Sequence, residues 1–222
     1  EFSELIEEAA DACPVEIIKF EYEASAEAEV VEVAPVVEEA AAPAAVAAVA
    51  GADDGVLAPL MAGDRSLAIF FGSQTGNAAG LAEKTAKMAV NYGLEPTVID
   101  MDGYNPADFS SHKRVLIITS TWGEGEMPDN ADALWNATLA SNPPLSNTHF
   151  SVCAIGDTSY DEFCKAGLDW DEKFKTLGAT CIEEIKLCDV DFEPPWLEWA
   201  PLALSKIACV DSSGTFHEDL LE

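Results

Sequence analysis

Five strand-like runs, Leu67–Phe71, Thr97–Asp100, Arg114–Thr119, Phe150–Ile155 and Cys181–Leu187, punctuate the chain after residue 66. Most are followed by a stretch whose apolar positions recur at helical spacing. Ala78, Leu81, Ala82, Thr85, Ala89 and Tyr92 share one helical face, and Gly93 stops it. Ala131, Leu134, Trp135, Thr138 and Leu139 form the next stripe. Phe163, Gly167, Trp170, Phe174 and Leu177 form a third, closed by Gly178. Pro194-Pro195 opens a fourth, with Trp196, Trp199, Ala203 and Ile207 along one side and an expected kink at Pro201. The link between the second and third strands is short, with room for one or two helical turns. Apolar strands alternating with amphipathic helices predict an α/β domain over residues 65–208, a five-stranded, doubly wound parallel sheet covered on both faces. Such sheets hold ligands outside the carboxyl ends of their strands, so the loops after the first, third, fourth and fifth strands are the candidates.

Upstream of Leu67 the periodicity is missing. Residues 24–64 consist mainly of Ala, Glu, Val and Pro, lack aromatic side chains and centre on "VEEAAAPAAVAAVAGADDG". This stretch cannot bury enough apolar surface to fold alone, and a largely disordered, self-repelling linker is expected, with an Ala-rich helix around 38–50 as the alternative. Residues 1–66 carry sixteen acids against two bases, and the remainder twenty-five against nine. A net charge of −30 speaks against nucleic acid and anionic membrane as partners and for a basic protein. No apolar run approaches bilayer length, so no membrane span is expected. The six cysteines, Cys13, Cys153, Cys164, Cys181, Cys188 and Cys209, show no C-x-x-C spacing. Free thiols in a reducing, cytoplasmic setting are expected, with no metal site. The opening Glu1-Phe2 lacks a Met, and "CVDSSGTFHEDLLE" at the end (209–222) reads as a tail or linker, so an excerpt from a longer protein is expected.

The chemistry gathers in three loops. After the first strand, Gly72-Ser73-Gln74-Thr75-Gly76-Asn77 enters a helix at its N-terminus, where exposed amides and the helix dipole favour an anion and Ser73 and Thr75 add hydroxyl donors. The lysine of a Walker loop is missing, and the glycines do not match the dinucleotide fingerprint. A neutral cradle suits one terminal monophosphate. After the third strand, "TSTWGEGEMPDNA" (119–131) offers Ser120 and Thr121 to ring heteroatoms, Trp122 as an apolar plane, and Gly123 and Gly125 for close backbone approach. After the fourth, "AIGDTSYDEFCKAG" (154–167) supplies Gly156 for a tight turn, Asp157 as an acceptor from a ring N–H, and Tyr160 as a second plane. Each aromatic alone reads as packing. Two of them beside a phosphate cradle describe a flat mononucleotide such as FMN.

Four segments, "IFFGSQTGNAAGLAEK", "TSTWGEGEMPDNA", "AIGDTSYDEFCKAGLDWDEKFKTLGA" and "KLCDVDFEPPWLEW", resemble in order the FMN-binding, flavodoxin-like domain of the diflavin reductases, of the sulfite reductase flavoprotein and microsomal haem-protein reductase type. The resemblance covers residues 67–207 and implies strand order 2-1-3-4-5. It also implies that Ser73, Gln74, Thr75, Gly76, Asn77 and Ala78 bind the FMN phosphate. Ser120, Thr121, Trp122 and Gly123 would line the isoalloxazine. Ile155, Gly156, Asp157, Thr158, Ser159, Tyr160, Asp161, Glu162, Phe163 and Cys164 would form the opposite wall, and Asp189 would stand near the flavin edge. The sequence departs from relatives at Trp122, where tyrosine is frequent, and at Cys164. Cys13-Pro14 followed by an apolar strand resembles the closing segment of bacterial-type ferredoxins, so residues 1–23 are expected to be a ferredoxin remnant without its other cluster ligands.

In this reading the flavin carries the chemistry and no side chain is catalytic. Electrons would come from an FAD/NADPH reductase module or a ferredoxin. They would leave singly to a haem, sirohaem or iron–sulfur acceptor with a basic face. The chain has no FAD or NADP site of its own, so it would be an oxidoreductase only within a larger reductase. Carboxylates near the ring would make the reduced flavin a strong donor, and Gly123 is the expected site of a backbone flip toward it. The acids Glu124, Glu126, Asp129, Asp157, Asp161 and Glu162 lie on the loops that would frame it. A stand-alone carrier and a non-redox acidic adaptor are the alternatives. A phosphate-switched receiver lacks its acids at Phe70-Phe71-Gly72, and a serine hydrolase its G-x-S-x-G elbow.

Overall fold

A computed structural model describes residues 60, 61 and 63–221. The ferredoxin-like segment 1–23, with Cys13, and nearly all of the linker 24–64 lie outside the described residues. Strand β1 (Ser66–Gly72) leads to helix α1 (Asn77–Ala89), and β2 (Glu95–Asp100) follows a 3-10 turn closed by Gly93 at φ 67°. A second 3-10 turn, Pro106–Ser111, precedes β3 (Arg114–Ser120) and α2 (Asp129–Ser141). Then come β4 (His149–Ile155), α3 (Lys165–Thr176), β5 (Thr180–Cys181), β6 (Lys186–Cys188) and α4 (Glu193–Ala208). The sheet is parallel, in the order β2-β1-β3-β4-β5 that the resemblance implies, with β6 also on β4.

Alternate residues of each strand serve opposite faces, so the sheet divides the interior into two cores. On one face Leu67, Ile69, Leu116 and Ile118 pack with Leu81 and Ala82 of α1 and Trp196, Trp199 and Leu204 of α4. On the other, Phe70, Ile117, Phe150 and Val152 meet Leu134 of α2, Trp170 and Phe174 of α3, and Phe109. Helix α3 comes close to β4 because Gly167 carries no side chain. A Cβ there would lie 2.3 Å from the Cβ of Ala154. Gly167→Ala is expected to push the helix off the sheet and cost about 1–2 kcal/mol, the usual penalty of an overpacked core. Urea denaturation would read this as a lower midpoint at unchanged slope.

Two expectations are corrected, and the C-terminal segment is seen to pack against the domain. The fifth strand is two segments, β5 and β6, rather than one run over Cys181–Leu187. Glu183 between them leaves the ladder, its carbonyl accepting from the Ser151 hydroxyl at 3.0 Å and its carboxylate pairing with Lys206 at 2.5 Å. The third helix begins at Lys165 because Cys164 adopts a left-handed φ of 57°. The C-terminal segment, expected to be a tail or linker, folds back. Val210 is fully buried, and Leu220 joins Leu60 and Cys209 in a small apolar cluster.

At the amino-terminal ends of the strands Arg114 holds that segment, and Arg65 beside it holds the end of α4. Arg114, fully buried, donates to the carbonyls of Val210 (2.6 and 2.9 Å), Asp64 (2.8 Å) and Ser66 (3.2 Å). Arg65 donates to the carbonyls of Ala208 (2.8 Å) and Gly93 (3.0 Å). Burial, and then the neighbouring Arg65, push the Arg114 guanidinium down to about 10, which leaves it charged at neutral pH. The carboxylate of Asp211 organises the following turn. Burial works to raise it, but hydrogen bonds from Ser213, His217 and Thr215 outweigh burial and hold it well below the usual carboxylate range.

Candidate functional site

The carboxyl ends of the strands deliver the candidate loops to one side of the sheet. Main-chain bonds close the joints between them. Thr121 N–H donates to the Ile155 carbonyl at 2.9 Å, and Gly156 N–H to the Cys188 carbonyl at 2.9 Å. The glycine-rich turn 123–125 abuts the fourth-strand loop, where a Cβ on Gly125 would touch Glu162 at 3.0 Å.

In the first loop, Gly76 at φ 90° turns the chain into α1, and no side chain caps that helix. Ser73 Oγ accepts from Gly76 N–H at 3.0 Å. The amides of Gln74, Thr75, Asn77 and Ala78 have no acceptor among the described residues. Orphan amides at a helix start are the donors an anion needs. Ala78 contributes through its backbone alone, since its methyl group is fully buried in the core.

Two aromatic side chains supply the apolar part. Trp122 is 50% exposed and Tyr160 52%. Large rings left half in water on neighbouring loops are the kind of surface that a flat ligand covers. A short turn holds Trp122, in which the N–H groups of Gly125 and Glu126 donate to its carbonyl at 3.1 and 2.8 Å. Gly123 sits at φ 53° in this turn. The free amides and half-exposed rings fit a mononucleotide of the FMN type.

The other candidate residues differ in their contacts and burial. Thr121 Oγ1 accepts from Ala166 N–H at 3.2 Å and so anchors the start of α3, leaving its hydroxyl proton available. Ser120 is half-buried, its hydroxyl 3.5 Å from the Gly72 carbonyl. Asp157 accepts from Ser159 N–H at 2.8 Å and from the Ser159 hydroxyl at 2.5 Å, committing one oxygen to its own turn. Ile155 ends β4 and is buried, while Phe163 is half-buried. Cys164 is buried, and burial pushes its thiol up to about 12, so it is a neutral packing group. Asp161 and Glu162 are exposed.

Asp189, expected near the flavin edge, braces the fourth-strand loop. Its two oxygens accept from Thr158 N–H (3.0 Å) and the Thr158 hydroxyl (2.6 Å), and also from Val190 N–H (2.8 Å). The hydroxyl and amide of Thr158 hold this carboxylate below its ordinary range. A depressed carboxylate stabilises the fold above its unfolded pKa and loses that contribution as pH falls through the folded value. FMN affinity is therefore expected to weaken on acidification below the ordinary carboxylate range. In Asp189→Asn affinity at neutral pH should drop by about 3-fold, the scale of one lost exposed hydrogen bond, and the acid limb should flatten. Flavin fluorescence titrations from neutral to acid pH check both.

The sequence reading named Gln74 and Asp129 but missed Asn130 and the contacts by which all three tie the first loop to α2. Asn130 Oδ1 accepts from Ser73 N–H at 2.8 Å, and its Nδ2 donates to Asp100 Oδ1 at 2.8 Å and the Phe71 carbonyl at 3.3 Å. Gln74 and Asp129 pair reciprocally, Gln74 Nε2 to Asp129 Oδ2 at 2.9 Å and Asp129 N–H to Gln74 Oε1 at 3.0 Å. The only trace in sequence is Pro128-Asp129-Asn130 at a helix start, which says nothing about partners. Among the described residues no group of three His, Cys, Asp or Glu could hold a metal, and the described cysteines are free.

The chain is 41% identical over 153 residues to the sulfite reductase [NADPH] flavoprotein alpha-component of Vibrio parahaemolyticus, covering 68% of this chain and 25% of that protein. It is 38% identical over 143 residues to the same component of Bacillus subtilis, with coverages of 64% and 24%. The chain thus spans about a quarter of the length of these relatives. Among solved structures, the flavodoxin of Streptococcus pneumonia TIGR4 matches at 29% identity and a TM-score of 0.58, over 64% of this chain and 97% of that one. A mutant flavodoxin from Pseudomonas aeruginosa matches at 27% identity and a TM-score of 0.55, over 62% and 98%. The flavodoxin family model matches residues 69–199. Fold, loop geometry and this match agree: the chain belongs to the flavodoxin family and is related to the sulfite reductase flavoprotein alpha-component.

Proposed function

We propose that this chain is the FMN-binding electron-carrier module of a multidomain reductase. It would take electrons from an FAD/NADPH module or an iron–sulfur donor and pass them singly to a haem, sirohaem or iron–sulfur acceptor. The observation that carries this reading is the pairing of uncapped α1 amides with the half-exposed rings of Trp122 and Tyr160 at one end of the sheet. Bound FMN would supply the coupling of two-electron to one-electron chemistry. The protein's part is to hold the phosphate on the amides of Gln74, Thr75, Asn77 and Ala78, to cover the ring with Trp122 and Tyr160, and to keep the fourth-strand loop in place through Thr158 and Asp189. Membership of the same family as the flavodoxins supports the cofactor, and 41% identity to a sulfite reductase flavoprotein supports the multidomain setting.

Charge supports a basic acceptor. Lys84, Lys165, Lys175, Lys186 and Lys206 are paired with acids. Glu124, Glu126, Asp157, Asp161 and Glu162 on the site loops have no ion-pair partner among the described residues. A cleft of ≈ 550 Å³ beside Trp122 is lined by Glu124, Glu126, Asp129 and Asp132. Complementary charge of this kind steers encounter and sets orientation more than it adds affinity.

The test is an FMN titration of the purified chain followed by reductive titration under nitrogen. The reading requires stoichiometric binding and two resolved one-electron potentials. A colourless chain that ignores FMN would leave the acidic adaptor as the better account.

A further inference from the structure

We infer that Asn130 is the positioning residue of the phosphate loop and sets the preference for a phosphorylated over an unphosphorylated flavin. The inference rests on the FMN reading above. The loop has no lysine or arginine, so its hold on a phosphate depends on backbone amides already in place before the ligand arrives. Those amides follow Ser73 directly, and Ser73 N–H is bound to Asn130 Oδ1 at 2.8 Å. Asn130 is in turn fixed from both neighbouring strands, through the Phe71 carbonyl of β1 and the Asp100 carboxylate that ends β2. One planar amide thus joins the first loop, the end of β2 and the start of α2. By taking up the first loop amide, Asn130 fixes the peptide from which the unpartnered amides of Gln74, Thr75, Asn77 and Ala78 continue. The reciprocal Gln74–Asp129 pair secures the next residue to the same helix start.

A loosened loop would weaken binding of the phosphate and leave the ring contacts of Trp122 and Tyr160 in place. The experiment compares the affinities of FMN and riboflavin for the whole chain, with the melting temperature of the ligand-free protein alongside. For Asn130→Ala the FMN dissociation constant is expected to rise about 10-fold or more, the range for one lost hydrogen bond plus a disordered neighbour. Riboflavin should change by less than about 3-fold, within one weak contact. Asp100→Ala, at an exposed strand end, should move the FMN/riboflavin ratio in the same direction by a smaller factor. If Asn130 merely stabilised the fold, both ligands would weaken together and melting would fall, which would overturn the inference. An unchanged ratio in both variants would also overturn it. A wild-type chain that binds neither flavin would instead sink the FMN reading, so the two failures are told apart.

Discussion

Arg114→Leu is expected to lose about 3–5 kcal/mol of folding stability, the cost of removing one member of a buried polar group and stranding its partners. Leucine keeps an apolar stem but donates nothing. The carbonyls of Val210, Asp64 and Ser66 then lose their donor at the edge of the sheet. Each stranded acceptor costs about 1–3 kcal/mol when water cannot reach it. The ion pair with Asp64 at 3.6 Å adds little, because that carboxylate is half in water. Against a total stability of about 5–15 kcal/mol this is a large share. Urea unfolding would show it as a displaced midpoint, and Val210 to Leu221 would exchange amide hydrogens sooner. FMN affinity, measured below the new midpoint, should stay near wild type because the arginine sits at the opposite strand ends from the loops. A loss under about 1 kcal/mol would mean that the guanidinium is replaceable by packing alone.

Trp122→Ala is expected to weaken FMN binding about 50-fold while leaving folding within about 0.5 kcal/mol, as is usual for exposed side chains. The indole is half exposed, so the chain gains little from it without ligand. Covering about 100 Å² of ring by a flavin is worth about 2–3 kcal/mol from area alone, with stacking in addition. The backbone turn survives, since its bonds run from the N–H groups of Gly125 and Glu126 to the carbonyl of residue 122. Tyr160→Ala should behave alike with a smaller factor. Flavin fluorescence titration and thermal melting of the ligand-free variants give the two numbers. Equal losses in both would show that Trp122 is a structural residue.

Strand periodicity and helix stripes are legible in the sequence because burial on two faces of a parallel sheet leaves its mark on every element. β1, expected over Leu67–Phe71, runs over Ser66–Gly72, and β4 begins one residue before its expected start. The break between β5 and β6 is not legible. It depends on Ser151 and Lys206 drawing Glu183 out of the ladder, and neither is near it in sequence. The folded-back C-terminus escapes a sequence reading for a related reason. "DSSGT" has the composition of a linker, but Arg114, distant in sequence, gives the preceding backbone a place to bind. In the site, the anion-ready turn and the aromatic residues can be read from types and order. The brace by Asp189 and the bridge by Asn130 cannot, since a carboxylate or amide in a loop does not announce its partner.

The arginine-held edge carries a mechanical consequence. Leu60 and Leu220 lie in one apolar cluster, and Arg114 clasps Asp64 and Val210 at the same time. Tension applied between residues 60 and 220 would be borne by that clasp and short-circuited there. Little of the load would reach the loops at the far ends of the strands, so pulling at these two positions would leave those loops undeformed until the clasp gave way.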